Sequence, residues 1–180
     1  MPQPRARNIL LTGRPGIGKT TVIRRFVELH SNKHLSGFYT DELREQGRRT
    51  GFRIITLDGA TGILAHQEAK SRFRVGKYGV NVEEFEALVL PRLDAGITNL
   101  DLFIIDEIGK MECFSQLFIA SVRSLLDSPT PVLATVAQKG AGFISEVRSR
   151  SDVTLIQITT QNRDTLPQQL SRMIYDEANY

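Results

Sequence analysis

Eight consecutive residues, Gly13-Arg14-Pro15-Gly16-Ile17-Gly18-Lys19-Thr20, have types and spacing that could do chemistry. They match G-x-x-x-x-G-K-[ST], a pattern suited to gripping phosphate. Glycines let the backbone curl until consecutive N–H groups face one anion. A helix beginning near Lys19 would add the positive end of its dipole. Lys19 supplies a mobile cation for a β- and a γ-phosphate, and the Thr20 hydroxyl is a hard oxygen ligand suited to Mg²⁺. A glycine-rich turn with a chance lysine would share the pattern, but here an apolar run precedes it and a helical pattern follows.

A bound triphosphate needs Mg²⁺, and Mg²⁺ needs a protein oxygen. Leu102-Phe103-Ile104-Ile105-Asp106 is an apolar run ending in a carboxylate. In an open α/β sheet, ligands sit at the carboxyl ends of the strands, so Asp106 is expected beside the phosphate loop. Glu107 follows directly. Neighbouring residues on an extended segment point in different directions, so the two carboxylates would divide the labour. Asp106 would hold the metal, and Glu107 would polarise a water attacking the γ-phosphoryl.

These groups need a scaffold. Ile9 to Thr12 reads as a buried strand, followed by the loop and a helix from about Lys19 to His30. A second buried strand ends at Asp106. Ser115 is placed to cap the next helix, with Leu117, Phe118, Val122, Leu125 and Leu126 along one face. Pro131 to Val136 and Val153 to Ile158 read as further strands, with a short helix near Phe143 to Arg148 between them. Thr165-Leu-Pro-Gln168 has the form of a capping box opening a last helix. Apolar strands alternating with helices predict an α/β fold, a mainly parallel sheet covered on both faces. Residues of about 37–81 differ. Turn signals at Gln46-Gly47, Asp58-Gly59 and Gly76 separate β-rich runs, which reads as an antiparallel β-hairpin region inserted into the α/β core. It holds eight Lys or Arg residues, a solvated surface or a basic lid near the phosphates.

Composition sets the bounds. At 180 residues the chain is expected to be a single domain, 1–180, able to bury a core without disulfides. Hydrophobic residues at 41% and charged ones at 24% exclude a disordered chain. A net charge of +3 suits a phosphate-bearing ligand and allows nucleic acid without indicating it. One cysteine rules out an internal disulfide and a multi-cysteine zinc site. No apolar run reaches the roughly 18 residues of a membrane span, and positions 1–8 lack a secretory leader pattern. The expectation is a cytoplasmic monomer without membrane contact.

Weaker signals point elsewhere. Asp106 to Gly109 also fits D-x-x-G of GTPase switches, but no N-K-x-D accompanies it. His30 and His34 stand four apart without an arranged carboxylate. Asp41-Glu42 follows the second strand, where a kinase could keep an acceptor-site carboxylate. Lys139 could reach the phosphates as a cationic finger.

Several segments occur together in order: Gly13 to Thr20, Gly37-Phe-Tyr-Thr40, Gly47 to Phe52, Arg74 to Val80, and Asp106-Glu-Ile-Gly-Lys-Met-Glu112. With Asn162-Arg163-Asp164 they resemble the nucleoside-triphosphatase family known from thermophiles and, in animals, as cancer-related nucleoside-triphosphatase. The resemblance implies a RecA-like P-loop three-layer core and hydrolysis of ATP, GTP, CTP and UTP to the diphosphates. It implies phosphate binding by Gly13 to Thr20, and a second nucleotide-contacting segment at Phe103, Ile104, Ile105, Asp106, Glu107, Ile108 and Gly109. Asn162 and Arg163 are candidates for the base side, because they follow the last strand at the sheet's carboxyl edge. Cys113 stands where the family often has an aliphatic residue, and a free cysteine packs as one. Three classes stay open: an Mg²⁺-dependent hydrolase acting on nucleoside triphosphates, with Lys19 and Glu107 catalytic and Thr20 and Asp106 on the metal; a small-molecule or nucleoside kinase; and a partner-regulated nucleoside-triphosphatase acting with nucleic acid. Glu107 beside Asp106 favours water as acceptor, hence the hydrolase.

Overall fold

The computed structural model describes residues 7–175; the leader reading at positions 1–6 lies outside them. β1 (Asn8–Thr12) is buried along its whole length, as an apolar run flanked by neighbours on both sides must be. It feeds the phosphate loop and α1 (Lys19–Leu29), which buries Val22, Ile23 and Phe26 against the sheet. β2 (Leu35–Glu45) turns into β3 (Arg48–Thr56), and β4 (Thr61–His66), β5 (Arg74–Val75) and β6 (Tyr78–Val80) follow. α2 (Val82–Val89) returns the chain to the core. Then come β7 (Leu102–Ile108), a 3-10 turn at Glu112–Phe114, α3 (Gln116–Asp127), β8 (Val132–Val136), α4 (Phe143–Arg148), β9 (Val153–Gln157) and α5 (Leu166–Tyr175).

The nine strands of the described residues form one sheet in the order β5-β6-β4-β3-β2-β7-β8-β1-β9. From β2 to β9 the pairing is parallel. β8 lies between the strand that enters the phosphate loop and the strand that carries Asp106. That extra strand defines the RecA-like order expected from the sequence. α1 and α5 cover one face around Ile9, Leu11 and Ile104; α2, α3 and α4 cover the other around Leu10, Phe103 and Ile105. The three layers follow.

The antiparallel hairpin region follows the first βα unit, as expected, and extends the core sheet. β2 pairs in parallel with β7 from Leu35 to Phe38, then runs on to pair antiparallel with β3 from Phe38 to Glu45. The turn at Gln46-Gly47 has positive φ at both residues, 48° and 77°, the conformation that matches strand twist in a two-residue hairpin. Phe38 of β2, Phe85 of α2 and Phe118 of α3 meet edge-on, with ring centroids 5.2–6.2 Å apart. Each such pair adds about 0.5–1.5 kcal/mol beyond area burial, which fixes the two helices on the strand beside Asp106.

Helix starts divide. Ser115 caps α3, accepting from the Phe118 N–H at 2.9 Å. Thr165 forms no capping box with Gln168. Its hydroxyl donates to the Asn162 carbonyl at 3.2 Å and takes the Gln169 amide at 3.4 Å, because a preceding turn already closes on Asn162.

Candidate functional site

The buried strand β1 ends at Thr12 and the loop opens immediately after it. Arg14, Pro15 and Gly16 are exposed, while Ile17 turns inward and anchors the loop in the α1 layer. Gly18 begins α1 with φ of 110°, a backbone conformation that side-chain-bearing residues rarely adopt. No side chain caps this helix start. Its first N–H groups are therefore unused by side chains and face outward with the dipole's positive end.

Lys19 folds back over the loop. Its ammonium donates to the Gly13 carbonyl at 3.2 Å and lies 3.4 Å from Glu107 Oε2. At the next residue of the helix, the Thr20 hydroxyl donates to Asp106 Oδ2 at 2.7 Å. The other Asp106 oxygen accepts from Thr135 on β8 at 2.5 Å. Asp106 is thus held by hydroxyls from α1 and from the strand next to its own, with 1% of its surface exposed. Burial pushes its carboxyl above the ordinary range, opposed by the Thr135 and Thr20 hydrogen bonds. Glu107 turns the other way and keeps about a third of its side chain in solvent. Burial raises its carboxyl as well, against the lowering pull of Lys19.

A third carboxyl completes the group. Glu112, in the 3-10 turn after β7, is buried. A methyl placed on Gly109 would sit 2.8 Å from Glu107 Oε1 and 2.9 Å from Glu112 Oε2, so both acids crowd the same glycine. Burial, and then the charge of Glu107, push Glu112 well above the usual range. Sequence reasoning gave no role to Glu112 and did not single out Thr135. A lone hydroxyl inside the otherwise apolar Val132–Val136 was the available signal.

The remaining candidates divide by where their side chains go. Phe103, Ile104, Ile105 and Ile108 are fully buried and anchor β7 in the two core layers, so their side chains offer nothing to a ligand at the loop. Asn162 closes its own turn, accepting from the Thr159 N–H at 2.8 Å and donating to the Gln157 carbonyl at 2.9 Å. Arg163 reaches the loop itself, donating to the Ile17 carbonyl at 3.2 Å. Beside the loop lies a depression of about 250 Å³, lined by Arg14, Ile17, Gln138, Gln157 and Thr159 among others, and by neither Asn162 nor Arg163.

The weaker signals do not converge. Asp41 pairs with Arg53 across β2 and β3 at 3.0 Å. Glu42 takes Arg44 and Arg49, so the basic hairpin spends three of its cations on β2 carboxylates. His30 bonds the Phe26 carbonyl and His34 the Asn99 carbonyl, so the two rings take separate backbone partners. Lys139 is exposed after β8. Cys113 packs against the core, and burial pushes its thiol up to about 12. Among the described residues no cluster of three or more His, Cys, Asp or Glu could hold a metal unaided. None of the described helices is long and apolar enough to cross a membrane.

Hydroxyl and carboxylate oxygens 2.7 Å apart at a helix start are hard donors of the kind Mg²⁺ takes. Two protein donors suffice where substrate phosphates supply the rest, which is how Mg²⁺ usually binds. A cation there would also relieve the burial of Asp106.

Comparison with known proteins agrees with this geometry. Residues 8–171 match the family model described as NTPase. The chain is 45% identical to the nucleoside-triphosphatase THEP1 of Thermotoga sp. (strain RQ2), across 88% of this chain and 90% of that one. It is 42% identical to the human cancer-related nucleoside-triphosphatase, across 89% and 93%. The crystal structure of THEP1 from Aquifex aeolicus superposes with a TM-score of 0.84 at 37% identity, covering 94% of this chain and 99% of that one. On fold, phosphate loop and sequence together, the chain belongs to the NTPase family.

Proposed function

We propose that the protein hydrolyses Mg²⁺-bound nucleoside triphosphates, ATP, GTP, CTP and UTP alike, to the diphosphate and phosphate. The observation that carries this reading is the pairing of Lys19 with Glu107 at 3.4 Å, directly above the phosphate loop. The cation that would clamp the β- and γ-phosphates touches the carboxylate that would handle the attacking water.

Mg²⁺ would be held by Thr20 and Asp106, and when bound it neutralises charge on the phosphate oxygens. Loop N–H groups from Gly13 to Thr20 and the Lys19 ammonium grip the phosphates. Drawn to phosphate, Lys19 loosens its hold on Glu107, whose carboxylate then orients a water and accepts its proton. A bond forms between the water oxygen and γ-phosphorus while the bond from γ-phosphorus to the bridging oxygen breaks, in line. Thr135 keeps Asp106 facing Thr20. Arg163, tied to the loop at Ile17, flanks the base side. The depression beside the loop carries Gln138, Gln157, Thr159, Thr160 and Gln161 with Arg14 and two isoleucines, and those amides and hydroxyls donate and accept alike, which supports broad base tolerance. Water is favoured over an alcohol acceptor because Asp41, the candidate acceptor carboxylate, is neutralised by Arg53.

The test is Glu107→Gln, which keeps size but removes charge and basicity. The dissociation constant for a nucleoside triphosphate should move little while kcat falls by about 10²–10⁴. Assays run on all four triphosphates, with and without added nucleoside or nucleic acid, separate hydrolysis from transfer and from partner stimulation. Near-normal hydrolysis by Glu107→Gln, with activity lost in Asp41→Asn, would replace the hydrolase by a kinase.

A further inference from the structure

Far from the phosphate loop, between the chain segment after β4 and the start of α2, lies a cavity of about 440 Å³. That volume falls within the range of small-molecule sites. Its apolar wall is Ile63, Phe73 and Val82, and Lys70 and Arg72 line it against a single carboxylate, Glu83, which leaves the lining net positive. Both cations are exposed, and among the described residues neither forms an ion pair. The Arg72 guanidinium carbon sits over the Phe73 ring, 4.7 Å from its centroid, which holds the cation at the cavity. The wall is tied in place. Ser71 donates to the Val80 carbonyl at 2.7 Å and accepts from the Phe73 N–H at 3.1 Å, and the Val80 N–H returns to Phe73 at 2.8 Å.

Two contacts lead from this cavity to the turn that holds Glu112. The Phe73 ring packs on Phe114 with centroids 5.2 Å apart. One turn along α2 from Val82, Glu86 accepts from the Ser115 hydroxyl at 2.6 Å. Phe114 and Ser115 stand two and three positions after Glu112 in the same turn, and Glu112 crowds Gly109 together with Glu107.

We propose that this cavity binds a small organic phosphate with an apolar body, and that its occupancy sets the position of the Glu112 turn and hence turnover. Two unpaired cations suit a doubly charged phosphate better than a carboxylate. The body would lie on Ile63, Phe73 and Val82. The coupling rests on the hydrolase reading above; the binding does not.

Phenyl phosphate is the probe, titrated against protein whose phosphate loop is saturated with Mg²⁺ and a non-hydrolysable triphosphate. One saturable site is expected, stronger than for inorganic phosphate or benzoate. Lys70→Gln/Arg72→Gln should weaken it about tenfold or more while basal hydrolysis stays as in the wild type. In wild type, phenyl phosphate should change kcat; in Phe114→Leu it should still bind but leave kcat unmoved. No saturable binding by about 10 mM, or equal binding by the double variant or by inorganic phosphate, overturns the site. Binding that leaves wild-type kcat unchanged overturns the coupling. Because binding is read without turnover, loss of the site and loss of the hydrolase reading are told apart.

Discussion

The Lys19 ammonium lies 3.4 Å from Glu107 Oε2 and 3.2 Å from the Gly13 carbonyl oxygen, with 12% of the lysine side chain exposed. A single cation thus bridges the phosphate loop and the strand end that bears both acids. It is neither a free surface charge nor part of the apolar core.

Lys19→Ala should therefore abolish hydrolysis, lowering kcat/KM by about 10³ or more, and leave the fold standing. Losing its cation should also push Glu107 further up, since Lys19 is the main opponent of burial there. Steady-state kinetics beside circular dichroism make the check. Turnover near the wild-type value would remove Lys19 from the chemistry.

Asp106 should set the metal requirement. Activity is expected to stop in chelator and return with Mg²⁺. In Asp106→Asn the Mg²⁺ concentration for half-activity should rise by about tenfold or more, since one anionic ligand becomes neutral. An unchanged Mg²⁺ titration would place the metal elsewhere.

Thr135→Val keeps shape and removes only the hydroxyl that donates to Asp106 Oδ1. A buried carboxylate left short of a donor costs about 1–3 kcal/mol. Both chemical denaturation and the Mg²⁺ titration should report it, the second because Asp106 is freer to turn from Thr20. Should stability drop while metal dependence stays put, Thr135 supports the sheet alone.

Glu112 should make the protein less stable at higher pH. Burial raises its folded value above the ordinary 4.5, so the folded chain holds this proton more tightly than the unfolded one. Its contribution is fully present below the unfolded value and is lost as pH rises through the folded value. Glu112→Gln, a mimic of the protonated acid, should flatten the decline of Tm as pH rises above the ordinary 4.5 in chelator. Parallel profiles for variant and wild type would show that Glu112 does not titrate there.

What the sequence by itself determined was local. Gly13 to Thr20 identify a phosphate loop because only a glycine-rich turn before a helix can aim successive N–H groups at one anion. The apolar runs ending at Thr12 and Asp106 marked two central strands, and alternation with helices marked a parallel sheet covered on both faces. Ser115 was legible as a cap because that bond spans three residues. Tertiary structure decided whatever depends on distant partners. The Thr165 box matched its pattern and yet went unformed, since Asn162 and Gln169 competed for the same hydroxyl. β2 could serve as core strand and hairpin strand at once only because β7 and β3 flank it. Thr135 reaches Asp106 from 29 positions further along the chain, and Glu112 meets Glu107 around Gly109. The burial that raises Glu112 is likewise absent from its neighbours in sequence. It exists only once the helices α2 and α3 close over the turn that carries it.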